Sequence, residues 1–352
     1  DSLSRKIKYF SGSVSDDYGF SKLAFAVRET GKKLVDYTII DRPSGKNDNI
    51  FFVWDFQDRE LIAGETIEYW MEVWDNDGVN GAKSTKTSTG VFSAPTKQDL
   101  QEERDESDYE IASNIEDAVE RAEELRREME SFKERLREER EMDWQDKKAL
   151  EELLEKQEEL KNELDEVKKS NQIKNERLNE FSPQNERILE KQEELQKIMN
   201  DIMSDELREL YEKMQELMED MNPDELQKQL DKMDVSQEAL EKELDRALEQ
   251  FKQLEWEVKM EELVEALREL ADKQEDLAKK TEGEELPSDQ LKKEQEHLND
   301  SFDELKEKIN ELEKDNTDLE NPNPMLNSEE EENSISEDQK ESTEDLEKGK
   351  EK

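Results

Sequence analysis

The period of the apolar residues changes near Pro95, and no single core satisfies both patterns. Before that point apolar side chains alternate. Leu23, Phe25 and Val27 do so, as do Phe51 and Val53, and Ile67, Tyr69, Met71 and Val73. Alternation puts them on one face of an extended strand. Beyond Pro95, Ile111, Ile115, Ala118, Ala122, Leu125, Met129, Phe132 and Leu136 recur in alternating steps of four and three. That spacing draws one narrow stripe along a helix, the kind two helices bury between them.

Charge divides at the same place. Of the 101 acidic and 53 basic side chains, 15 and 13 lie in residues 1–97, leaving 86 and 40 for residues 98–352. Nearly all of the net charge of −48 therefore belongs to the helical part. With 31% of residues apolar and 44% charged, its helices can be apolar on stripes only. Nucleic acid is excluded as a partner, because phosphate contacts need clustered Lys and Arg. An anionic membrane surface would repel the helices for the same reason. There is no cysteine, hence no disulfide and no thiolate metal site. No apolar run approaches the roughly 18–20 residues that span a bilayer. The chain opens Asp-Ser-Leu-Ser, with neither an initiator Met nor a signal peptide. We expect a segment or processed product of a longer protein, with any membrane anchor lying in a missing N-terminal part.

Residues 1–95 are expected to form a small immunoglobulin-like β-sandwich. Strands are predicted over 8–14, 22–28, 34–40, 50–56, 66–74 and 83–92, leaving the count at six or seven. Turn residues separate them: Asp16-Asp17-Tyr18-Gly19, Pro43-Ser44-Gly45, Ala63-Gly64 and Asp75-Asn76-Asp77-Gly78. Asp16, Asp17, Asp75 and Asp77 are weak calcium candidates, since hard cations take carboxylate and carbonyl oxygens. The second turn lacks the spacing of an EF-hand loop, and Asx turns explain the same residues without metal. Trp54, Trp70 and Trp74 are expected to pack in the core or at its edge rather than to form a ligand box.

Residues 96–314 are expected to form a coiled-coil or helical-hairpin region. Further seams run through Leu150, Leu153, Gln157, Leu160, Leu164 and Val167, then Ile188, Gln192, Leu195, Met199 and Ile202. Another follows from Leu240 to Val258, and a last from Leu263 to Leu277. Glutamines at seam positions weaken packing and fix register. Breaks are predicted near 141, 182, 222, 235 and 285. Thr96 with Asp99 suits a helix start, and Ser182-Pro183 and Asn222-Pro223 each offer a cap followed by proline. Six methionines between Met199 and Met233 suit either a flexible partner-binding face or ordinary core filling. Residues 315–352, with Asn321-Pro322-Asn323-Pro324 and a run of four glutamates, are expected to be a disordered acidic tail.

Catalytic patterns are missing. The one histidine, His297, has no partner His or Cys nearby in sequence and reads as a solvated side chain. No phosphate loop, nucleophile elbow or zinc motif occurs. The expectation is a non-enzyme without a cofactor.

Several stretches carry a resemblance: DDYGFSKL (16–23), GETIEYWMEVWDNDGVNG (64–81), DWQDKKALEELLEKQEEL (143–160), ILEKQEELQKIMNDIMSDELREL (188–210) and ELDRALEQFKQLEWEVKMEELVEAL (243–267). Through them the chain resembles the large Bacteroidetes envelope proteins of domain-of-unknown-function family 4175. The resemblance implies N-terminal transmembrane helices ahead of this region and a location on the periplasmic face of the inner membrane. It implies no activity and no site residues. The expected function is a membrane-anchored cell-envelope scaffold whose helices pair within the chain and with basic or helical protein partners. The alternatives are a calcium-dependent binding or adhesion module and a non-catalytic segment of a larger membrane enzyme.

Overall fold

A computed structural model describes residues 7–41, 45–55, 61, 63–79, 81–138, 143–182, 184–203, 205–220, 223–283 and 286–348. The expected strand end at Phe56, the Pro43-Ser44 turn, Pro183 and the breaks near 141, 222 and 285 lie outside the described residues. The elements are β1 (Ile7–Ser15), β2 (Phe20–Glu29), β3 (Asp36–Asp41), β4 (Asn47–Asp55), β5 (Thr66–Asp75), β6 (Ser84–Lys86) and β7 (Gly90–Ser93). The helices are α1 (Lys97–Glu138), α2 (Trp144–Phe181), α3 (Glu186–Asp201), α4 (Asp205–Asp220), α5 (Pro223–Glu282), α6 (Ser288–Thr317) and α7 (Glu329–Glu347). The chain divides into two compact units, Asp1–Glu110 with Lys169–Gln184, and Ile111–Lys168 with Asn185–Lys352.

The first unit holds two antiparallel sheets. One is the pair β1–β4, in register from Ile7↔Asp55 to Ser15↔Asn47. The other runs β3-β2-β5-β6, with β7 also on β5. Alternation on β4 turns Ile50, Phe52 and Trp54 inward. The rings of Phe52, Trp54 and Phe10 of β1 meet the second sheet: the Phe25 ring centre lies 5.2 Å from that of Phe10, 5.0 Å from Phe52 and 4.4 Å from Trp54. The single strand expected over 83–92 is two short ones. It breaks at an extra residue, three (87–89) standing opposite two (70–71) between the Glu72↔Lys86 and Tyr69↔Gly90 pairs, and there the Thr87 hydroxyl accepts from Met71 N at 3.1 Å.

The boundary expected at Pro95 is not where the packing ends. Leu100 of α1 and Leu178 and Phe181 of α2 are buried in one cluster with Phe25, Ile67 and Phe92, so two helix ends complete the core of the sheets. The expected start at Thr96 is present as a reciprocal capping box. Asp99 N donates to Thr96 Oγ1 at 3.1 Å, and Thr96 N donates to Asp99 Oδ2 at 2.8 Å. Within this unit α1 and α2 run antiparallel, joined by Lys174–Asp108 at 2.5 Å and Arg177–Glu103 at 3.3 Å.

The second unit is helical, and its seams are buried. Every residue from Ile111 to Leu136 in the first stripe is nearly inaccessible, as are Leu150, Leu160, Ile188, Leu195, Leu244 and Phe251. They meet in one cluster built from α1 to α4 and the first half of α5. Antiparallel ion pairs mark the register: Arg121–Glu163 between α1 and α2, and Lys133–Asp231 at 2.7 Å and Lys252–Glu116 at 2.7 Å between α1 and α5. The break expected near 235 is absent. Val235 is 70% exposed while Met233 and Gln237 are buried, so the polar Asp234-Val235-Ser236 segment rides the outer face of an unbroken helix. At the break near 182, α3 is capped by Asn185 rather than Ser182, its side chain accepting from Ile188 N at 2.9 Å.

The second half of α5 packs with α6 in a separate cluster that includes Trp256, Leu270, Leu291, Phe302 and Ile309. Here the sequence expectation of a disordered tail fails. From Asp315, α6 continues to Thr317 and α7 returns antiparallel to it. Leu319 and Leu346 are buried in that cluster. Polar groups fix the connection: Asn323 N donates to Asn316 Oδ1 at 2.7 Å, Asn316 Nδ2 to Asn323 O at 2.9 Å, and Glu320 N to Glu249 Oε1 at 3.0 Å. Acidic composition signals low hydrophobicity but is blind to such satisfied turns.

Candidate functional site

The acidic turns 16–19 and 75–79 lie together at one end of the sheets, because Phe20 pairs with Asp75 across β2 and β5. Asn76 Nδ2 donates to Tyr18 O at 2.7 Å and ties them. Their carboxylates serve the local backbone. Asp16 Oδ1 accepts from Tyr18 N at 2.8 Å and Gly19 N at 2.9 Å. Asp75 Oδ1 accepts from Lys83 N at 2.9 Å and Asp77 N at 3.3 Å, and Asp77 Oδ1 from Val79 N at 2.9 Å. Asp17 is exposed. These are Asx turns. Gly19 takes a φ of +99° there, and a β-carbon on it would sit 3.2 Å from Gly45 O. Among the described residues no group of three or more His, Cys, Asp or Glu is placed to hold a metal.

Beside these turns the space between the sheets is open. A cleft of about 790 Å³ lies between β1 and the β6–β7 stretch. All residues from Phe10 to Asp16 line it, as do Thr85 to Ser88. Side chains of a strand alternate between faces, so a consecutive run can line a cavity only along the strand's edge. β1 pairs with β4 alone among the described strands, leaving that edge without a strand partner. The floor is apolar, formed by Leu23, Phe25, Met71 and Val73. Gly12, opposite Ile50 and on the same face as Phe10 and Val14, has nothing within 4 Å of where a β-carbon would be. Gly90 differs: a β-carbon there would fall 2.5 Å from the Tyr69 ring, so that position closes tightly over the core.

The outer face of the five-stranded sheet carries aromatics and cations. Ala24 and Ala26 are fully buried there beneath larger neighbours. Lys22 Nζ stands 4.3 Å from the Trp74 ring centre and 5.0 Å from that of Tyr37. Arg28 and Lys86 flank Trp70. Burial pushes the Glu72 carboxyl upward, yet hydrogen bonds from Ser84, Trp70 and Tyr37, with Lys86 nearby, hold it below the usual range. Tyr37 is pushed up by burial and by the Glu72 charge. Trp54 is a core ring, Trp70 is buried and Trp74 half-buried, as expected of packing residues.

In the helical unit Met199, Met203, Met214 and Met233 are buried in the main cluster, so these four fill core rather than offer a partner-binding face. His297 is exposed, with Ser301 Oγ of its own helix 3.3 Å from its Nδ1. A polar layer crosses the core: Gln237 Nε2 donates to Gln157 Oε1 at 2.9 Å and also to the Tyr211 hydroxyl. Burial pushes the Tyr211 phenol far above its usual range, against the opposing hydrogen bond from Gln237. No helix of the described residues is long and apolar enough to cross a membrane.

No family model, curated protein or solved structure matches the chain. The turns and strands were legible from Gly, Asp and alternation, whereas the cleft was not. Its one sequence trace is Ser11-Gly12-Ser13, three small residues in mid-strand where an inward side chain is missing.

Proposed function

We propose that this chain is a non-enzymatic scaffold of the cell envelope, with an immunoglobulin-like head and coiled-coil helices that bind protein partners. The observation that carries the reading is the burial of each long seam inside the chain. Helices that satisfy their own apolar stripes need no second copy to be stable, and their outer surface is left free for recognition. That surface is strongly acidic, so the partners that suit it are basic or helical, and their approach is steered by charge. The resemblance to the Bacteroidetes envelope proteins adds membrane anchoring ahead of this region and a periplasmic location.

The test is site-directed photo-cross-linking in native membranes, with the probe at exposed Glu155, Glu190 and Asp272. The reading expects defined protein adducts at these positions that fall away as salt is raised. Adducts that form only on the sheets, with none on the helices, would refute a helical scaffold.

A further inference from the structure

We propose that the edge of β1 is an acceptor for an extended peptide from a partner protein, which adds as a strand and fills the cleft beside it. The proposal goes beyond the helical reading and uses none of the surface invoked there.

Three observations specify the occupant. The first is the edge. β1 is nine residues long and has no strand on its cleft side among the described residues. Unpaired strand edges present rows of N–H and C=O groups that match another extended backbone and little else. Native edges are usually blunted by charge or proline, yet Tyr9 to Ser15 contains neither. The second is the space below. At Gly12 the inward side chain is absent and its place is empty, over the apolar floor of Leu23 and Met71. An added strand sends every second side chain inward, so the peptide would put an apolar residue into that gap. The third is charge. Lys83 lines the cleft, and its ammonium has no carboxylate within ion-pair distance among the described residues. Asp16 and Asp75, which line the same space, already accept from backbone N–H groups. The fitting partner is therefore an extended segment alternating apolar and polar residues, with an acidic side chain where it passes Lys83.

A displayed library of random ten-residue peptides, selected on the full chain, tests this. Selected peptides should alternate in polarity, carry an acid and protect β1 amides from hydrogen exchange. Methylating alternate backbone nitrogens of a selected peptide should weaken binding at least tenfold, since it removes edge hydrogen bonds and keeps the side chains. Gly12→Leu should weaken it similarly by filling the gap, while Gly12→Ala, which adds little volume, keeps the edge and serves as the folding control. The idea is overturned if no peptide is selected. It is equally overturned if selected peptides bind regardless of backbone methylation, or bind Gly12→Leu as well as the natural chain. Neither outcome bears on helical cross-links, so the two readings fail separately.

Discussion

Gln157 of α2 and Gln237 of α5 meet in the middle of an apolar core, amide to amide at 2.9 Å, with both side chains almost wholly inaccessible. Leucine at either place would pack. The glutamines instead favour one alignment of the two helices: here Gln237 Nε2 has two acceptors although its Oε1 has no partner, and a slip would leave the Nε2 unpaired as well.

Gln157→Leu should therefore destabilise the helical unit by about 1–3 kcal/mol, since Gln237 loses an acceptor in a place water cannot reach. The double change to leucine should recover most of that loss. Urea unfolding of the three variants checks both statements.

A residue late in α2 should control the stability of the sheets. Phe181→Ala removes a buried ring from the cluster of Phe25, Ile67 and Phe92. The expected cost is about 3–5 kcal/mol. It should appear as earlier exposure of β2 and β5 amides in hydrogen exchange, with the α5–α6 amides unchanged.

Two carboxylates, Glu257 buried and Glu241 half-buried, should shift stability in opposite directions with pH. Burial raises Glu257, but hydrogen bonds from Lys191, Gln253 and Arg187 bring it below its ordinary value. Its contribution is complete above the unfolded carboxylate pKa and is lost as pH falls through the lower folded value. Glu241 is raised, first by burial and then by Glu123, Asp245 and Glu238, against the pull of Arg126. The 2.9 Å approach of Arg126 Nε to Glu241 lacks hydrogen-bond geometry, which explains why it does not offset the burial. Here stability is complete below the unfolded pKa and is lost as pH rises through the higher folded value. Glu257→Gln should lower stability at neutral pH and little at acid pH, whereas Glu241→Gln should raise it at neutral pH. Denaturation midpoints between about pH 3 and 7 separate the two.

The tail should matter. Asn316→Ala removes its three hydrogen bonds to Asn323, leaving among the described residues only the one from Gln253 Nε2 to Asn323 Oδ1, and should loosen α7, lowering helical-unit stability by about 1–3 kcal/mol. Exchange of α7 amides would rise first. Unchanged protection there would show that the turn holds without Asn316.

What the sequence disclosed was the repeating part. The stripe from Ile111 to Leu136 and the seam glutamines Gln157 and Gln192 all lie inside, because a heptad spacing leaves a helix only one face to bury. The strands were legible through the same logic at period two. The failures share a cause as well. Val235 sits on an outer face, where polar neighbours are no obstacle to a helix, and local composition cannot distinguish that from a break. α7 is held by Leu346 and a few polar contacts to α6, with Ile335 left 42% exposed, so no apolar period announces it. The cleft depends on where β1 stands relative to β6, a non-local fact written in neither strand.

Helix α5 is the one described element that belongs to both helical clusters. Leu254 and Val258 face the first, while Trp256 between them faces the second and donates its indole N–H to Leu312 O at 3.0 Å. The two cores are thus read in a common phase from one rod. Inserting a single residue after Val258 would turn everything beyond it by about 100° and swing Leu263 and Leu270 away from α6, with no side chain altered. Inserting seven would restore the phase and fail only by length. Between these clusters the chain is far less tolerant of a changed count than of a changed residue.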